Sequence, residues 1–199
     1  MQKVLVDTCF VDKFKEGIHL SEDFERLMSE VGYEPIIHPY VYEKELDVFD
    51  FVKEGIEKGV LKVLPYEAFI TDDATKKYYE GLFFQIYEDF RNRLIAVNSP
   101  KAKKLIELDE SADIFQIRMS GSSVGDVHII LLAIFMDIPI VLSEDSDLDI
   151  IFRLTRNRII SEKRDLKVYR VQDVIEVIKE KGNKTISGKE LKTLLRKYR

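Results

Sequence analysis

Residues 121–152 read GSSVGDVHIILLAIFMDIPIVLSEDSDLDIIF, and three signals follow one another in that order. Ser122 or Ser123 can cap a helix that carries Asp126 in its first turn, where a carboxylate suits the positive end of the helix dipole. Apolar residues then run almost unbroken from Ile129 to Met136 until Asp137-Ile138-Pro139, and proline cannot continue a helix. Ile140-Val141-Leu142 is short, β-branched and wholly apolar, the composition of a central parallel strand. A burst of acid follows it: Ser143, Glu144, Asp145, Ser146, Asp147 and Asp149. Sites in open α/β sheets are built at the carboxyl ends of strands. Several carboxylates placed there ask for a cation.

Upstream, Lys3-Val4-Leu5-Val6 predicts a buried strand that delivers Asp7 at its carboxyl end. A helical turn from Phe10, a helix opened by Ser21, and strands at residues 35–37 and 60–64 come next. A single helix is expected over residues 41–58, carrying Glu43 and Glu45. Residues 71–118 predict two longer helices. The first, over 72–95, has a stripe of Tyr78, Tyr79, Leu82, Phe83, Ile86, Tyr87 and Phe90 whose spacing is that of a core face, although aromatics can also stack on bases. The second starts at Ser99-Pro100, a cap followed by proline at the first helical position, and runs to about residue 119. Downstream are a short helix over 148–154, a strand over 166–171 and a helix over 173–181. Ser187-Gly-Lys-Glu190 has capping-box spacing and opens a last, basic helix. Strands alternate with helices throughout, so a parallel, helix-covered, three-layer α/β architecture is expected. The domain reading is one unit over 1–182 and a basic helical extension over 183–199.

At 199 residues, 45% hydrophobic and 34% charged, the composition is that of a soluble globular domain. One cysteine, Cys9, excludes an internal disulfide framework and points to a reducing, cytoplasmic location. The longest apolar run is too short to span a membrane. Net charge is −5, but residues 179–199 hold eight Lys or Arg against two Glu, a balance of +6 that leaves −11 on the rest. The basic tail predicts sequence-independent phosphate contacts, with an ordinary solvated face as the alternative. The acidic body fits a nucleic-acid enzyme only if its acid is gathered around cations.

Asp7 and Asp145 each end a strand, and Asp126 and one of Glu43 or Glu45 sit at helix starts. Two unit charges ~4 Å apart at an effective dielectric of ~20 repel by about 4 kcal/mol, so clustered carboxylates need bound cations or raised pKa values. Oxygen-only sites select Mg²⁺ or Mn²⁺. His19, His38 and His128 are not at metal-ligand spacing, Cys9 reads as a small buried residue, and no Walker or dinucleotide motif occurs. A phosphoacceptor role for Asp7 or Asp145 would need a lysine or arginine at the site, and none lies within the motifs around these two acids.

VLVDTCFVD at 4–12, PYVYEKEL at 39–46 and GDVHIILLAIFMDIPIVLSEDSDL at 125–148 together resemble the PIN-domain ribonucleases. The resemblance spans roughly residues 1–171, on about forty positions. It implies a PIN-like fold and an endoribonuclease dependent on Mg²⁺ or Mn²⁺. Its four acids fall on Asp7, Glu45, Asp126 and Asp145, with Asp147 as the auxiliary acid. Glu45 is preferred to Glu43 because Glu45-Leu46 matches the family's Glu-Leu pair. By the same resemblance, Asp7, Asp126 and Asp145 are metal ligands within coordination reach of one another, and Glu45 binds a second ion or orients water. Asp147 supports that side, and Thr8 and Ser143 hydrogen-bond the carboxylates. An RNA substrate and an antitoxin-like protein partner are what the family implies. Two features depart from its small toxins: the long interval between Glu45 and Asp126, and the basic tail. A substrate channel, a homodimer contact or a partner surface are the roles open to them. The rival from another class is a catalytically silent PIN-like module that binds RNA or protein.

Overall fold

Strand β1 (Gln2–Val6) is the middle of the sheet, and its last three residues are fully enclosed. The computed structural model describes residues 1–118, 123–159, 165–182 and 185–198. On one side β1 pairs in parallel with β4 (Tyr33–Ile37), which pairs with β5 (Lys62–Val63). On the other it pairs with β6 (Ile140–Leu142), which pairs with β7 (Lys167–Tyr169). The order β5-β4-β1-β6-β7 means that the chain builds outward from β1, returns, and builds the other way. The reversal falls between β1 and β6, and in such sheets that switch point is where a crevice opens. Register is tight there: Leu5 faces Val141 and Val6 faces Leu142. A two-stranded antiparallel hairpin, β2 (Lys15–Glu16) and β3 (His19–Leu20), turns at Gly17, whose φ of +67° favours glycine.

Helices cover the sheet in two packed groups, giving the expected three-layer α/β arrangement. Helix α2 (Glu22–Val31) packs on β4 and on α8 (Val171–Lys181), which in turn meets α9 (Gly188–Lys197). The second group is α5 (Asp73–Ala96), α6 (Val124–Phe135) and α7 (Asp147–Arg158), each touching the other two. Helix α6 is apolar nearly all round, and all but its last two residues and Asp126 fall in the buried class, as an enclosed helix requires. Along α5, Tyr79, Leu82, Phe83, Ile86, Tyr87 and Phe90 are buried while Tyr78 is exposed, so the aromatic stripe is core apart from its first member. Tyr79 joins two enclosed histidines, its hydroxyl lying 3.2 Å from His38 Nε2 and 2.9 Å from His128 Nδ1.

Three local expectations fail. Residues 41–58 are not one helix. A short helix α3 (Pro39–Val41) passes into a π-helical turn (Tyr42–Leu46), in which the Asp47 amide bonds back to the Tyr42 carbonyl, before α4 (Asp50–Glu57) begins after an extended Phe49. The helix expected from residue 99 does not form over the described residues 99–118 either. After a 3₁₀ turn (Pro100–Lys104) the described chain is irregular, because side chains take the amides a helix would use: Asp109 accepts from Ser111 N at 2.8 Å and Asp113 from Phe115 N at 3.0 Å. Ser123 occupies the cap position of α6 but makes no capping bond, and its φ is +56°. Ser122, the other cap candidate, lies outside the described residues.

The basic end of the chain is docked on the body. Tyr198 packs on Phe14 at 4.5 Å between ring centroids, and Lys197 reaches Glu16 at 2.7 Å and Asp23 at 2.6 Å. Ile186, Leu191 and Leu194 are buried, and the capping box of Ser187 and Glu190 forms as its spacing predicts. Among the described residues no helix is long and apolar enough to cross a membrane.

Candidate active site

The sheet's switch point is a place where two strand ends hand over to loops side by side. The backbone amide of Asp7 donates to Leu142 O at 3.0 Å, so β1 ends level with β6. Asp7 is the N-cap of helix α1 (Thr8–Asp12), and its Oδ1 accepts from Thr8 N at 2.6 Å. Its Oδ2 accepts from Ser143 Oγ and from Cys9 Sγ, both at 2.7 Å. Beyond β6 the chain is folded by its own polar groups. The Asp145 amide donates to Ser143 Oγ at 3.0 Å, and the Asp147 amide to Asp145 Oδ1 at 2.9 Å.

The π-helical turn presents Glu45 to the same place. Thr8 Oγ1 donates to Glu45 Oε2 at 2.6 Å, and the other carboxylate oxygen lies against the backbone of Gly125, where a Cβ would come within 2.3 Å of Oε1. Glycine at 125 thus lets a carboxylate approach the first turn of α6, one residue before Asp126. Glu43, by contrast, faces Tyr66, whose hydroxyl donates to it at 3.3 Å. Asp7, Glu45, Asp126 and Asp145 line one cleft of about 850 Å³, together with Thr8 and Cys9.

Burial sets the electrostatics of this cleft. Asp126 is pushed well above the ordinary carboxylate range by enclosure, and the charges of Asp7, Asp145 and Glu45 push it further. Asp7 is raised by burial against the pull of its three hydrogen-bond donors, with the Asp145 charge adding to the rise. Glu45 is raised by burial, partly offset by Thr8. Cys9 is driven up to about 12 by burial and by the neighbouring Asp7 charge, so its sulfur stays a thiol, donates a hydrogen bond and is no nucleophile.

The donors are all hard oxygens, half-way to a hard-cation site in chemistry. Coordination reach is another matter. Among the described residues no three His, Cys, Asp or Glu side chains stand as placed at metal-holding spacing, contrary to the expected convergence of Asp7, Asp126 and Asp145. The reason is visible in their partners. Both Asp7 oxygens are held by donors and Glu45 is held by Thr8, and these bonds set where the carboxylates stand.

Asp145 and Asp147 have a different partner, and the sequence motifs did not contain it. Lys101, on the 3₁₀ turn, puts Nζ at 2.6 Å from Asp147 Oδ2 and at 3.4 Å from each Asp145 oxygen. Burial alone would pull Lys101 down, but the Asp147 hydrogen bond and the two carboxylate charges win and raise it. A basic residue is therefore present at the site after all, which removes the sequence argument against a phosphoacceptor there. Lys44, Lys104 and Arg118 also line the cleft. The irregular segment 105–118 is stapled to α3 and the π-helical turn, which brings Arg118 to the cleft beside Lys44: Tyr40 Oη donates to Ile117 O at 2.6 Å, Lys44 to Gln116 Oε1 at 3.0 Å, and Arg118 to Glu43 O at 3.4 Å. Widely separated basic residues carry no motif, and only the fold brings them together.

No family model, no curated protein and no solved structure matches this chain.

Proposed function

We propose that this protein is a PIN-like, Mg²⁺- or Mn²⁺-dependent endoribonuclease. The observation that carries the reading is the meeting of Asp7, Glu45, Asp126 and Asp145 in one cleft at the carboxyl ends of two adjacent parallel strands. Asp7, Glu45 and Asp126 are the residues that would hold a divalent ion. Their raised pKa values mark a site whose negative charge is not balanced by the protein. The ion supplies Lewis acidity toward a phosphodiester and offsets charge on the leaving oxygen.

The chain's own groups do the rest. Thr8, Cys9 and Ser143 fix the Asp7 carboxylate, so it is Glu45 and Asp126 that would close on a cation held there. Glu45, whose pKa burial raises, is the group suited to take a proton from an attacking water. Lys44, Lys104 and Arg118 at the mouth are suited to hold phosphates flanking the one that reacts. The test is cleavage of a labelled single-stranded RNA by purified protein with Mn²⁺, with chelator, and with Asp126→Asn. Cleavage that needs the ion and vanishes in the variant supports the reading; metal-independent cleavage, or equal cleavage by the variant, refutes it.

A second reading has its own observation. Lys101 already pairs with Asp145 and Asp147, which suits a catalytically silent module that binds RNA or protein. That module would bind the same RNA with or without Mn²⁺ and leave it intact.

A further inference from the structure

Lys76, Glu80, Phe84, Tyr87 and Arg91 follow one another along α5 at spacings of three and four residues, so they share one face of the helix. Across from that face runs the irregular segment 107–113, and between the two lies a cavity of about 570 Å³, the size of a small-ligand site. It shares no lining residue with the acidic cleft. Tyr87 is only 2% exposed, and among the described residues neither its Oη nor Arg91 Nε has a hydrogen-bond partner. Buried donors are seldom left this way. The Ile106 amide stands near the Tyr87 oxygen, but an amide only donates, so the hydroxyl proton is left without an acceptor. Burial raises the Tyr87 pKa, which keeps that proton in place. Arg91 Nη2 lies 3.9 Å from Glu107 Oε2, too far for a hydrogen bond.

Tyr87 and Arg91, one helical turn apart, therefore hold three uncommitted donors: a hydroxyl and the Nε–Nη2 edge of a guanidinium. That edge is the fork a carboxylate fits with both oxygens. The rest of the lining asks for the opposite charge. Five carboxylates, two on α5 and three on the facing segment, stand against Lys76 and Arg91. A bare anion would be repelled by that surplus, whereas a ligand that carries cations beside its carboxylate satisfies both sets. Half-buried Phe84 and Leu108 give the stem of such a ligand an apolar wall. We propose that this cavity binds a small zwitterion with surplus positive charge, the chemistry of a free basic amino acid. Its carboxylate is taken by Tyr87 and Arg91, and its cationic end lies among the acids. The Arg91 side chain keeps 23% exposure, and binding turns its open edge and the neighbouring hydroxyl toward the incoming oxygens.

The test is calorimetry on the full chain with L-arginine as the probe. Agmatine, which lacks the carboxylate, and propionate, which lacks the cation, are the controls. L-arginine is expected to bind saturably, about tenfold or more tighter than either control, and about tenfold weaker in Tyr87→Phe, the loss of one hydrogen bond to a charged group. No saturable binding of L-arginine, equal binding of agmatine, or unchanged binding by Tyr87→Phe overturns the proposal. Tyr87→Phe also reports without ligand. Removing a hydroxyl that has no partner should leave the melting temperature equal or higher, and a fall would mean that the hydroxyl is already satisfied, which overturns the proposal as well. Gly81→Met fills the cavity without touching the donors. A Cβ at residue 81 meets nothing within 4 Å, and a helix favours methionine over glycine, so this variant is expected to fold and to lose L-arginine binding. Full binding by Gly81→Met would place the ligand elsewhere, and the proposal falls.

Discussion

Ser143 Oγ donates to Asp7 Oδ2 at 2.7 Å while accepting the Asp145 amide at 3.0 Å, so one hydroxyl ties the end of β1 to the turn after β6. Ser143 is fully enclosed, which makes both bonds costly to lose. Ser143→Ala leaves the Asp145 amide without its acceptor and Asp7 with two donors. The expected loss is about 1–3 kcal/mol of stability, the usual range for orphaning a buried partner. At this chain length that is about 2–4 °C of melting temperature per kcal/mol. Metal affinity should fall roughly 10–100-fold, as for other supports of a ligating carboxylate. Calorimetric melts and Mn²⁺ titration check both, and an Ala variant with wild-type stability would show that the bridge is dispensable.

Gly125 makes a sharper test, because nothing about its backbone demands glycine and only the Glu45 carboxylate occupies the space of a Cβ. Gly125→Ala is expected to fold, since alanine favours a helix by roughly 0.8–1.0 kcal/mol over glycine, yet to push Glu45 out of the cleft. Cleavage and the Mn²⁺-induced melting shift should both drop in a protein of equal or higher apo stability. A variant with full activity would mean that Glu45 has no part in the site.

The sheet was legible because its signals are local. The apolar triplet 140–142 and the strand at 4–6 each end in an aspartate, and two buried strands flanked by helical periods leave few ways to arrange a parallel sheet. Asp7, Asp126 and Asp145 stood out as candidates on equally local signals, two near strand ends and one in the first turn of a helix. What local patterns could not reveal was competition. The segment 105–118 has helical apolar spacing, yet Asp109 and Asp113 capture amides and the chain turns instead. Residues 41–58 look continuous, but a π-helical turn is what aims Glu45 at Thr8. Lys101 lies 44 positions from Asp145 in sequence and beside it in space; only the return of the 3₁₀ turn to the cleft mouth brings them together. The basic tail shows the same limit, since its charge was plain and its ion pairs with Glu16 and Asp23 were not.

Those pairs change how the tail must be tested. Deleting residues 183–199 would uncover Phe14 and strand Asp23, so loss of RNA binding after truncation would report damage to the body. Lys189, Lys192 and Arg196 are exposed and leave the docking contacts intact when altered. Changing all three to Gln is expected to weaken RNA binding uniformly across sequences and to flatten its salt dependence by about 0.7 per lost phosphate contact. The melting temperature should stay within about 3–6 °C of wild type, since such surface changes fall within about ±0.5 kcal/mol each. Unchanged binding at low and high salt would assign this helix to folding alone.

Asp126 and Asp145 should part company when each is replaced by Asn. Burial raises the Asp126 pKa in the folded protein, so the native state holds a proton that the unfolded chain releases above its ordinary 3.8. The stability that comes with that proton is present below the unfolded value and is lost as pH climbs toward the folded one. The slope in that window is about 1.4 kcal/mol per pH unit for one group. Asp126→Asn has no such slope, so it should match wild type near pH 4 and exceed it increasingly toward neutrality. It should also abolish cleavage and shrink the Mn²⁺ shift, which for wild type at ~100 times the dissociation constant is worth about 2.7 kcal/mol. Asp145 instead shares Lys101 with Asp147, and its side chain is 34% exposed. Asp145→Asn loses an ion pair in partial contact with water, about 0–1 kcal/mol, with a smaller gain toward neutral pH than Asp126→Asn, because its charge is a lesser contributor than burial to the raised Asp7 and Asp126, and with a retained Mn²⁺ shift. One series of melts between pH 4 and 8, with and without Mn²⁺, reads all of this. A wild type that Mn²⁺ does not stabilise, together with an Asp126→Asn variant weaker than wild type at pH 7, would mean that Asp126 is an ordinary hydrogen-bonded core residue and that the cleft holds no ion.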